Sequence, residues 1–147
     1  MQPKHFLLVF LLPALIMSCN PTIPTGIVSY VSYSSNTLKV NSEGYGQTEV
    51  EIEDNAAVNA IQRLLFEGIA GSSFAEPIIT DSGKKNSSYF KEMEQSGYRR
   101  YITAIRRSTP VTQHKGLVRT ASFEVTIDVA SLRRSLEQAG VIRKFGF

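Results

Sequence analysis

The residues able to do chemistry are few. The 147-residue sequence holds two histidines and one cysteine. His114 sits in the segment "TPVTQHKG". A histidine base needs a nucleophile within reach, yet no Gly-x-Ser-x-Gly elbow occurs among the abundant serines. His114 is therefore predicted to be a solvated loop residue. Zinc needs clustered Cys and His ligands, and so sparse a set cannot cluster. Gly44 and Gly46, in "EGYGQ", suggest a phosphate loop, whose backbone donors must open onto a helix N-terminus. Here Glu49, Glu51, Glu53 and Asp54 follow the glycines and would repel an anion. A bulge or tight bend is the better expectation. The same acids lack the Asp-x-Asp-x-Asp-Gly spacing of a calcium loop, so they are expected to be a solvated face. Catalytic residues, cofactor and metal are all expected to be absent.

Two arginine pairs remain. Arg99 and Arg100 precede Tyr101, and Arg106 and Arg107 close the same β-rich run. Arginine and tyrosine are enriched at protein interfaces. Arg99, Arg100, Tyr101, Arg106 and Arg107 are therefore the candidate partner surface, the alternative being a charged sheet end.

The elements that would position these residues follow from periodicity. Leu38–Gln47 resembles a strand with a bend at its glycines. "TEVEIED" either extends that strand or leads into a helix. A helix is predicted over Asp54–Glu67, with Asp54 or Asn55 as N-cap and with Ala57, Ile61, Leu64 and Leu65 on one face. Tyr89–Gln95 is a short helix closed by Gly97. Tyr98–Arg107 is a strand, and Thr109, Pro110 and Gly116 mark a hairpin connection. Leu117–Val129 alternates most clearly, with Ala121, Phe123, Val125 and Ile127 on the core side and a wet second side. A last helix, Ala130–Ala139, stops at Gly140. The order β-α-(α)-β-β-α predicts an α+β fold, a small antiparallel sheet with helices on one face.

The first residues suggest an address. Lys4 begins a short positive region, and Phe6–Met17 is uncharged. That run is too short for a bilayer, which needs about 20 apolar residues, and it suits a secretory signal. Ile16-Met17-Ser18-Cys19 resembles the lipobox of bacterial lipoproteins. The resemblance implies cleavage before Cys19, lipid on its thiol, and a membrane anchor. Asn20 in place of Asp implies outer-membrane delivery. The organisation expected is a signal peptide over 1–18, a lipidated Cys19 with a flexible tether over 19–37, and one domain over 38–147. The tether is uncharged and rich in Pro, Ser and Thr. Ile27, Val28, Tyr30, Val31 and Tyr33 within it could instead add an edge strand.

Four segments together, "VNSEGYG", "AAVNAIQRLLFEGI", "SGYRRYI" and "ASFEVTIDV", resemble the N-terminal domain of the flagellar assembly protein T family and the small LPP-type membrane lipoproteins. The resemblance implies an envelope-facing structural or assembly role and brings no catalytic residues. A formal charge of +3 and a pI near 9.1 are too mildly basic to argue for nucleic acid. The expected function is thus an outer-membrane-anchored, periplasm-facing binding or assembly module. Its partners would be the membrane, through Cys19, and other envelope proteins. A small-ligand or peptidoglycan binder is the alternative, ahead of an envelope-acting enzyme.

Overall fold

The computed structural model describes residues 26–80, 88–113 and 118–143. Cys19 and His114, with the signal, the lipobox and residues 19–25 of the tether, lie outside them. The architecture is α+β. Strand β1 (Val28–Ser34) and strand β2 (Thr37–Gly46) form a hairpin, followed by helix α1 (Glu49–Phe66). Helix α2 (Ser88–Gln95) and a 3-10 turn (Gly97–Tyr101) lead into β3 (Ile102–Arg107) and the two-residue β4 (Thr112–Gln113). Strand β5 (Arg119–Asp128) runs directly into helix α3 (Val129–Gln138). The sheet is antiparallel, in the order β1-β2-β5-β3, with β4 also on β5.

Strand β1 shortens the expected tether. Its Val28, Tyr30 and Tyr33 stand opposite Ser42, Val40 and Leu38, on the sheet side that carries the core. The connecting residues Ser35 and Asn36 have φ of 50° and 64°. Such a two-residue turn matches the twist of a hairpin, and Asn tolerates the left-handed region well.

Helix α1 begins earlier than Asp54. Thr48 is its N-cap: the Thr48 hydroxyl accepts from Glu51 N, and Glu51 Oε2 accepts from Thr48 N in return. This capping box satisfies donors that the first turn leaves free. Val50 and Ile52 therefore belong to a helix and not to an alternating strand.

The glycines of β2 are not a bulge. The β2–β5 register is unbroken from Thr37↔Asp128 to Gly46↔Arg119. Their role is close approach. A Cβ on Gly44 would overlap the Ile52 carbonyl oxygen and lie 2.8 Å from Ala56 N, and one on Gly46 would lie 2.6 Å from Glu51 Cβ. Ala56, Ala57 and Ala60 are small enough to complete the contact, and all three are buried. Ser42 Oγ, also buried, donates to the Ala56 carbonyl at 2.7 Å.

Strand β5 is central. Ala121, Phe123, Val125 and Ile127 are buried under α1, as their alternation requires. The opposite face is drier than expected. Thr120 and Thr126 are buried there, because β5 has a neighbour on each side. Thr120 Oγ1 donates to Glu43 at 3.2 Å. Helix α3 starts on Asp128, whose carboxylate accepts from Ser131 N at 2.9 Å and Ser131 Oγ at 2.7 Å. These bonds hold the Asp128 carboxyl below its ordinary range.

The strand expected over Tyr98–Arg107 starts only at Ile102. Residues three apart in a 3-10 turn eclipse each other, so Tyr98 and Tyr101 both turn into the core. Tyr101 Oη donates to Ser135 Oγ at 2.7 Å and ties the turn to α3.

Candidate functional site

Among the described residues the sheet ends in two open edges. Strand β3 pairs with β5 on one side, and among the described residues nothing pairs with its other side. This second edge borders a cleft of about 190 Å³. Ala57, Glu53 and Asp54 of α1 form one wall, Ile102 and Ile105 of β3 the other, and Tyr98 and Arg99 the end. The apolar floor, a few polar groups and an open strand edge are the ingredients of an extended-peptide site.

The five residues predicted as a partner surface do not form one patch but fall in five places. Tyr101 is buried and contributes packing, not contact area, because the 3-10 turn directs it inward. Arg99 closes the cleft and forms an ion pair with Asp54. Its guanidinium lies 5.9 Å from the Tyr98 ring centroid. The hydrogen bond that Arg99 donates to the Asp54 carboxylate raises the pKa of Arg99. Burial, with the same carboxylate nearby, pushes the Tyr98 phenol up. Arg100 borders a separate small crevice with Tyr89, Glu92 and Met93.

Arg106 and Arg107 diverge because neighbours along a strand face opposite sides. Arg106 crosses the sheet face opposite α1 to Glu124 at 3.5 Å, and Lys39 reaches the same carboxylate at 3.9 Å. Arg107 turns toward the start of α1 and meets Glu49 Oε2 at 3.2 Å. Three of the four arginines thus already have an acidic partner within the chain. Exposed pairs of this kind contribute little to stability, and a partner's carboxylate could still compete for them.

A broader, shallower basin of about 620 Å³ lies beyond Arg107, with Glu49, Pro110, Val111 and Arg119 on its rim. Arg119 donates to the Gln47 carbonyl at 3.4 Å, a long bond. On the sheet face opposite α1 Tyr45 Oη donates to Glu43 at 2.8 Å. Burial first, then that carboxylate, pushes the Tyr45 phenol up to about 12. Tyr45 is thus neutral at any physiological pH and serves as a donor.

Among the described residues no group of three or more His, Cys, Asp or Glu side chains could hold a metal ion. Among them, too, no helix is long and apolar enough to cross a membrane. The cleft residues Glu53, Asp54, Ala57, Ile102 and Ile105 were not legible as one site. They lie on elements whose packing no spacing in the sequence announces. Their only signal was the moderate exposure of apolar residues implied by a short strand flanked by arginines.

Comparison with known protein families, curated proteins and solved structures finds no match for this chain.

Proposed function

We propose that this protein is a lipid-anchored binding module of the bacterial cell envelope. It works by contact and not by catalysis. The observation that carries the binding reading is the cleft between α1 and the open edge of β3. An extended segment of a partner protein adds to β3 through its backbone and places an apolar side chain over Ile102 and Ile105. Main-chain bonds supply affinity in such complexes and the pocket supplies selectivity. Arg99 at the end of the cleft exchanges its Asp54 partner for a carboxylate of the incoming segment.

The anchor reading rests on Ile16–Cys19 and the uncharged run before it. Outer-membrane placement facing the periplasm follows from Asn20 after the cysteine, and the likeness to the flagellar assembly protein T family points to assembly. That likeness supplies no partner.

The test replaces Ile105 with Lys. Ile105 is only partly buried, so the change sets a long cation across the cleft without emptying the core. Recovery of protein partners from detergent-solubilised envelope is expected to fall about tenfold or more, as for the loss of an interface anchor. The melting temperature should stay near that of the wild type. Undiminished recovery, or recovery of muropeptides in place of proteins, would contradict the reading.

A further inference from the structure

The other open edge, β1, differs from β3 in composition. From Phe6 to Leu38 the sequence contains no Asp, Glu, Lys or Arg. Within that stretch Ile27 is 73% exposed, Val31 46%, Tyr30 37% and Tyr33 36%. Tyr33 stacks edge-on against Phe74, ring centroids 5.0 Å apart, which extends the patch onto the segment after α1. Natural sheets normally protect an open edge with charge, proline or a cover. Among the described residues strand β1 has only a register shift between Tyr30 and Ser32.

We infer that β1 rests on the lipid surface, with Ile27, Tyr30 and Val31 entering the interfacial layer. The inference builds on the lipid-anchor reading of Cys19. Nine residue steps separate Cys19 from Val28. A chain extends at most about 3.6 Å per residue, so this edge lies within roughly 30 Å of the acylated cysteine. That is about the diameter of a small domain. The anchor therefore keeps β1, the strand that follows Cys19 most closely in the sequence, within reach of the bilayer. Tyrosine suits that location: its ring sits at the headgroup level and its hydroxyl stays wet. Absence of charge removes the desolvation cost that a Lys or Glu would add there. The polar and cationic β3 edge, three strand spacings of about 4.8 Å away, is left facing the periplasm and available to partners.

The chain contains no tryptophan, which makes a single reporter unambiguous. The full acylated protein carrying Tyr30→Trp is reconstituted into phosphatidylethanolamine–phosphatidylglycerol vesicles, with or without dibrominated acyl chains. A second protein carries Arg106→Trp on the far edge, and a third carries Ile27→Trp in case the first folds poorly. Brominated lipid should quench most of the emission at positions 30 and 27 and little of it at 106. Equal, unquenched emission from all three, with acylated Cys19 verified by mass, would overturn this inference and leave the anchor intact. Emission shielded from water but indifferent to bromine, together with a mass of two chains, would overturn it in favour of a second copy on β1. An unacylated Cys19 would overturn both readings at once.

Discussion

A Gly44→Val chain is expected to show no cooperative melt. At Gly44 the backbones of β2 and α1 touch, and the first atom of any side chain would overlap the Ile52 carbonyl oxygen. The obstacle is main chain within a helix, so no rotamer change relieves it. The helix would have to lift off the sheet. Ile52, Ala56 and Ala60, all fully buried, would lose their contact with Leu38 and Val40. The Ser42 to Ala56 hydrogen bond would break in a dry environment, and an unsatisfied buried group costs about 1–3 kcal/mol. Overpacking adds about 1–3 kcal/mol and occasionally more. Together with the lost apolar contacts these reach the low end of the stability of a typical domain, about 5–15 kcal/mol. Circular dichroism against temperature reads the outcome directly. A Gly44→Val protein melting at the wild-type temperature would mean that α1 does not pack where described.

Phe123→Asp should be comparably destructive, for a different reason. Phe123 is 4% exposed in the central strand, opposite Ser42 of β2 and Arg107 of β3. Arg107 itself turns to Glu49, so a carboxylate at 123 must displace that pair or stay unpaired. An unpaired buried charge costs several kcal/mol, and the lost ring adds about 3–5 kcal/mol. The matched control is Glu124→Gln, one residue along on the face opposite α1. It weakens only two exposed pairs, those with Lys39 and Arg106, and should change stability by less than about 1 kcal/mol. Denaturant midpoints for the two variants check this. Similar midpoints would contradict the assignment of the faces of β5.

The contrast between these neighbours was visible in the sequence. Alternation from Ala121 to Ile127 needs nothing beyond the two-residue period of a strand. Helix α3 and its Gly140 stop were similarly local. The start of α1 is ambiguous in the sequence because Val50 and Ile52 alternate with acids and imitate a strand, so "TEVEIED" suits a strand extension as well as a helix. The contrary signal was present in Thr48 and Glu51, whose spacing is that of a capping box. Strand β1 was ambiguous because Ser and Tyr alternation without charge suits either a tether or an edge. The arginines show where such inference stops. Glu49, Asp54 and Glu124, which meet Arg107, Arg99 and Arg106, come from other elements. Only the folded sheet brings them together, and only the 3-10 turn removes Tyr101 from the surface.

The stability variants concern the scaffold, and the Ile105 variant concerns the cleft. The anchor sets where either can matter. It is tested by intact mass of the protein purified from the envelope of a Gram-negative host. The account predicts a chain that begins at Cys19, lacks residues 1–18, and is heavier than its amino acids by a diacylglycerol and, where the amino group is acylated, a third acyl chain. A full-length chain with an unmodified Cys19 would contradict it.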